Sequence, residues 1–102
     1  MKKQIFTRTL NKVCTFNGVK KKDIFTKNKK QFNADSRHLL YYVCMEIPHF
    51  KISYLQKYLK EQGYDAYHSE IIYGVKKIKN QIEKDQYFKD TITDFKNQCI
   101  NL

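Results

Sequence analysis

Glycine and proline are scarce, at three and one in 102 residues, and tryptophan is absent. Gly18, Gly63 and Gly74 are too few to write G-x-x-x-x-G-K or G-x-G-x-x-G, which excludes the usual glycine-rich phosphate loops. No apolar run approaches the roughly 18 residues of a membrane span. The first residues, Met1 to Arg8, lack the apolar core of a secretory signal. Cys14, Cys44 and Cys99 are odd in number, far apart and never in C-x-x-C, so neither a disulfide framework nor a zinc finger is expected. Each falls in phase with an apolar helix face, as buried free thiols in a reducing cytosol would. No two of His38, His49 and His68 have metal-ligand spacing, and no catalytic constellation is visible. The sequence therefore predicts no metal, no cofactor, no small-molecule substrate and no enzymatic activity. Acid is also in short supply: Asp and Glu number 10 against 20 Lys and Arg, a formal charge of +10.

That charge is unevenly placed. Residues 1–30 carry ten basic side chains against Asp23 alone, whereas residues 31–102 carry ten basic and nine acidic ones. A one-sided basic segment suggests a polyanionic partner, nucleic acid ahead of an anionic membrane. Only Arg8 and Arg37 are arginines. Arginine's planar fork suits bidentate guanine contacts, while lysine serves phosphate as a point charge, so a large sequence-independent phosphate contribution is expected.

Repeated i, i+3, i+4 apolar spacing predicts a single all-α domain of about five helices over 1–102. An N-terminal helix within 1–18 carries Ile5, Phe6, Thr9, Leu10, Val13 and Cys14 on one stripe, stopped by Gly18. A basic connector fills 19–32, with Ile24, Phe25 and Phe32 available to pin it. A helical core fills 33–102. Its first helix runs from about Ala34 to Ile47, capped by Asn33 or Asp35, with Leu39, Leu40, Val43, Cys44 and Ile47 as the buried face and Pro48 just past its end. A short helix follows, with Ser53 and Gln56 as a capping box, Ile52, Leu55 and Leu59 inward, and Gly63 at its end. Next comes a helix over about 66–83 with Ile71, Val75, Ile78 and Ile82 on one face. The last, from about Asp85, repeats that spacing in Phe88, Ile92, Phe95 and Cys99, and the two stripes are expected to pack together.

A short helix, a turn containing Gly63 and a longer helix match the helix-turn-helix plan, in which the second helix enters the major groove. The candidate base-edge contacts are His68 and Ser69, flanked by Tyr67 and Tyr73 and extended by Lys76 and Lys77. The candidate phosphate contacts are Lys20, Lys21, Lys22, Lys27, Lys29, Lys30, Arg37 and His38. Glu70 either accepts from a cytosine amino group or favours the helix start electrostatically. A plain helical bundle would show the same helices without this use.

Here the sequence resembles a known family. Residues from about 19 to 96 look like the C-terminal DNA-binding domain, domain IV, of the bacterial replication initiator DnaA, a Trp-repressor-like helix-turn-helix. Lys27-Asn28-Lys29-Lys30 stands where that family has a basic loop, and Arg37 takes the place of its helix Arg. The family signature Gly-Arg-Asp-His-Thr-Thr-Val is matched at His68, at the hydroxyl of Ser69 and at Ile71, and its later Lys-Ile pair at Lys77-Ile78. Ala66, Tyr67 and Glu70 depart from the signature. The resemblance implies double-stranded DNA binding in general terms. It also implies a stand-alone module, since an ATPase would need a phosphate loop and more than 200 further residues. Lys, Asn, Ile, Tyr and Phe make up about half the chain, all with AT-rich codons, so an AT-rich bacterium, its phage or a mobile element is the expected source. Cytoplasmic, nucleoid-associated placement is expected, or a virion. Two competing readings are a protein–protein adaptor in a larger assembly, motivated by Glu70, Ala66 and the tyrosines, and membrane attachment through Lys2, Lys3 and an unpartnered first helix.

Overall fold

The computed structural model describes residues 1–26 and 31–100. They form an all-α bundle of six helices with no strand among the described residues. The first helix, α1, spans Lys2–Asn17 and buries Phe6, Thr9, Leu10 and Val13. It stops at Gly18, whose φ of 64° is the left-handed backbone that closes a helix without strain only at glycine.

The connector is not wholly irregular. A four-residue helix, α2, spans Lys21–Ile24 and seats Ile24 in the core, while Phe25 meets Tyr64 at 5.7 Å between ring centroids. So short a helix has no periodicity for a sequence pattern to reveal. Lys27, Asn28, Lys29 and Lys30, and the side chain of Phe32, lie outside the described residues.

The central helix, α3, spans Gln31–Met45. It starts ahead of the expected Ala34, so Asn33 and Asp35 sit within its first turns instead of capping it. Leu39, Leu40, Tyr41, Tyr42, Val43 and Cys44 are buried in succession. A helix buried all round is one surrounded by others. Helices α1 and α5 are its main neighbours, with α2 and α4 adding contacts. The single buried face expected from spacing is therefore too narrow, because α5 covers the side carrying Tyr41.

Helix α4, Ile52–Glu61, buries Leu55 and Leu59. The capping box does not form: Lys51 is the N-cap, and Gln56 Nε2 instead donates to the Ala66 carbonyl at 3.0 Å. That bond ties α4 to the turn ahead of α5, His68–Lys84. The last helix, α6, spans Gln86–Ile100, and its first turn is held by Asp85 Oδ1 accepting from the Phe88 N–H at 3.1 Å. The two regular stripes do meet, with Ile71 and Ile78 buried on α5 and Ile92, Phe95 and Cys99 on α6.

Helix α1 packs on α3 and α6, and Arg8 Nη1 donates to the Cys99 carbonyl at 3.0 Å. Its apolar face is thus covered, which removes the unpartnered helix that membrane attachment required. Among the described residues no helix is long and apolar enough to cross a membrane.

Candidate nucleic-acid interface

The start of α5 presents all but one of its polar side chains outward. Tyr67, the N-cap, is 73% exposed, and His68 and Ser69 are exposed beside it. One to three turns on, Tyr73, Lys76 and Lys77 are exposed as well. The inward stripe of Ile71, Gly74 and Ile78 fixes this orientation, since residues three and four apart share a helix face. Behind it, α4 and the Gln56–Ala66 bond hold the turn. All six residues expected to face DNA from this helix are thus exposed on α5.

Glu70 faces the other way. Its Oε2 accepts from the Tyr41 hydroxyl at 2.7 Å and from the Tyr64 hydroxyl at 2.8 Å, and lies 4.0 Å from Arg37 Nε. A carboxylate so engaged is a structural anchor in the first turn of α5, where an acid also favours the helix start as expected, and it is turned away from the outward array. Burial, then the bond to Glu70, pushes the Tyr64 hydroxyl up to about 12 and Tyr41 further still.

Arg37 and His38 are also turned inward, at 8% and 7% exposure. Arg37 Nη1 donates to the Ile24 carbonyl at 2.7 Å and to the Thr26 carbonyl at 3.3 Å, and its guanidinium lies 5.3 Å from the centre of the Tyr64 ring. The residue expected on phosphate instead joins the end of α2 to α5, because two carbonyls, a ring and a carboxylate replace the water it would lose. The His38 ring meets the Tyr73 ring edge-on at 5.7 Å. Burial and then Lys77 hold its pKa below the ordinary value, so the imidazole is neutral at neutral pH. Tyr64, Tyr41 and Gly74 belong to this site and were missed by sequence reasoning. The only signal for Tyr64 was an aromatic residue directly after a turn glycine.

The phosphate candidates Lys20, Lys21 and Lys22 are exposed at and on α2, whereas Lys27, Lys29 and Lys30 lie outside the described residues. Lys77 Nζ is 3.9 Å from Asp35 Oδ1, an ion pair across the α3–α5 contact. Arg37 is committed to main-chain carbonyls and Arg8 Nη1 to one, so most of the cations left at the surface are lysines. Among the described residues no three His, Cys, Asp or Glu side chains cluster as a metal site would need.

No family model matches the chain, and no solved structure matches it. Over 92 residues, 90% of its length, the sequence is 32% identical to the chromosomal replication initiator protein DnaA of Aliarcobacter butzleri (strain RM4018). Those residues are 20% of that protein, so the chain spans about a fifth of the relative it matches. The similarity runs through both the basic connector and the exposed turn of α5, and the chain carries a DnaA-related region over most of its length.

Proposed function

We propose that the chain is a double-stranded DNA-binding module of the helix-turn-helix type, equivalent to domain IV of DnaA, with α4 bracing and α5 reading. The carrying observation is the outward array of Tyr67, His68, Ser69, Tyr73, Lys76 and Lys77 on one helix of a chain related to a replication initiator over 90% of its length. His68 and Ser69 hydrogen-bond base edges. Lys20, Lys21, Lys22, Lys76 and Lys77 hold phosphates, with Lys27, Lys29 and Lys30 continuing the basic run. Arg37 and His38 position the helix from behind instead of touching DNA. The module binds and does not catalyse, and its role is replication-related or regulatory in a bacterium, a phage or a mobile element.

With Arg37 spent internally, a bidentate guanine contact is not available from it. Binding is consequently dominated by phosphate, with modest base preference from the first turn of α5. The adaptor reading loses one of its motives, because the Glu70 anion does not face a DNA surface. A mobility-shift titration on random duplex at low salt tests the proposal. Binding at about micromolar protein or below is expected, and no shift there overturns it in favour of the adaptor. In a selection from a random duplex library, His68→Ala is expected to change the preferred sequence, whereas Lys21→Gln weakens all duplexes alike. If both variants act identically on every sequence, readout by α5 is wrong.

A further inference from the structure

The end of α1, the second half of α5 and the start of α6 meet around a hollow of about 410 Å³, floored by Leu39, Ile78 and Ile92 and edged by Phe16 and Phe88. The floor is buried, whereas Phe16 is 48% exposed. Tyr87, next to Phe88 in the first turn of α6, is 74% exposed. Exposed aromatic rings around an apolar hollow are the composition of a protein interface, whose core is rich in aromatics and poor in net charge. Charge says what can cover this face. Residues 81–102 hold four acidic side chains and three lysines, whereas the rest of the chain holds seventeen basic and six acidic ones. Two copies of the chain repel each other through their basic faces, but not through this corner. Around Tyr87 the exposed charges are of both signs: Glu83, Lys84, Asp85, Lys89 and Asp90. Glu83, Lys84 and Lys89 form no ion pair among the described residues. A patch carrying both signs can complement itself across a two-fold axis, where each residue meets the other copy's counterpart of its own partner.

We propose that this face joins two copies of the chain about a two-fold axis, with Tyr87 of each copy seated in the hollow of the other. A tyrosine suits that place, since its ring supplies a large apolar surface and its hydroxyl finds a partner at a polar rim. The lysines and acids beside it pair between copies, so the charges left unpaired within one chain are used in the dimer. The dimer stands on the hollow, the exposed rings and the charge, and goes beyond the DNA-binding reading. Under that reading, a two-fold dimer carries two copies of α5 and meets two half-sites related by the same axis.

Sedimentation equilibrium of the full chain, without DNA, at about 1 μM to 1 mM protein tests the proposal. The 12.3 kDa monomer is expected to give way to twice that mass and no more. Tyr87→Ala is expected to raise the dissociation constant of the dimer at least about 30-fold. The side chain is largely exposed, so this variant folds. Two charge variants test the pairing. Lys84→Glu with Lys89→Glu, and Glu83→Lys with Asp90→Lys, are each expected to weaken the dimer by like-charge repulsion, while mixing the two variant chains restores it. A chain that stays monomeric throughout overturns the proposal and leaves the face to a different protein. A dimer that Tyr87→Ala does not weaken, charge variants that do not recover on mixing, or masses that climb past the dimer also overturn it. Duplex binding by a chain that stays monomeric overturns it while leaving the duplex reading intact. A dimer that binds no duplex supports it and overturns the duplex reading instead.

Discussion

Glu70 gathers two tyrosine hydroxyls and a guanidinium at the start of α5, and Arg37 carries the linkage on to the main chain at the end of α2. Hydrogen bonds to charged groups are worth about 1.5–3 kcal/mol each, and truncating one partner leaves the others unsatisfied. Arg37→Met is therefore expected to lower unfolding stability by about 2–3 kcal/mol, read as a lower urea midpoint at unchanged slope. Combined with Glu70→Gln, its effect should be non-additive by about 0.5–3 kcal/mol; strict additivity would mean the linkage is not real. The same residues set the pH range. Folding raises the Tyr64 pKa to about 12 and that of Tyr41 higher, which favours the neutral phenols. Their contribution is complete below the unfolded tyrosine value of about 10 and is lost as pH rises from there through about 12. His38 acts at the other end. Its folded pKa is lowered, so its contribution is complete above the unfolded value of about 6.5 and is lost as pH falls below it. Urea midpoints across pH should show a plateau between these limits, and Tyr64→Phe should soften the alkaline edge. Little of this was legible in the sequence. Arg37 stood out as a charge, but its partners are carbonyls 11 and 13 residues upstream, which leave no trace in residue identity. Glu70 looked like an anomaly for a DNA-facing helix until its direction was seen.

Helix α5 approaches the central helix closely at Gly74. A Cβ built there would lie 2.6 Å from His38 Cδ2 and 3.0 Å from Tyr41 Cδ2. Both rings are buried, so neither can swing into solvent. Overpacking costs about 1–3 kcal/mol, and replacing a mid-helix glycine by alanine returns about 1 kcal/mol. Gly74→Ala is accordingly expected to be destabilising by up to about 2 kcal/mol, checked by thermal unfolding. A stabilised variant would show that the two helices are not in close contact. The stripes of α5 and α6 were legible from spacing, because each of those helices is apolar on one side only and the period survives. The width of the α3 core was not, since Tyr41 and Tyr42 count as ambiguous between core and surface. Nor was the start of α4, where Gln56 satisfies the next turn instead of its own helix. The exposed turn of α5 was readable residue by residue because its polar run, Tyr67 to Ser69, interrupts the apolar period.

At the scale of the molecule, the excess charge of the first thirty residues is narrower in effect than in sequence. On α1, Lys3 Nζ pairs with Glu61 at 2.9 Å, Lys2 lies over the Tyr54 ring at 5.8 Å and Arg8 holds the Cys99 carbonyl. These cations face α4 and α6. Lys20, Lys21 and Lys22 are exposed at α2, which Arg37 joins to α5. The phosphate clamp is thus expected around α2 and α5, with α1 contributing little. Each phosphate neutralised adds about 0.9 to the slope of log affinity against log salt. Changing Lys20, Lys21 and Lys22 together to Gln should flatten that slope on random duplex by about 2.7. Changing Lys2 and Lys3 to Gln should leave it within about 0.5 of the starting value. Fluorescence anisotropy titrations from about 50 to 200 mM salt separate the two outcomes. If the α1 pair flattens the slope and the α2 triple does not, DNA lies across the α1–α4 side of the bundle, and the outward array on α5 is not the reading surface.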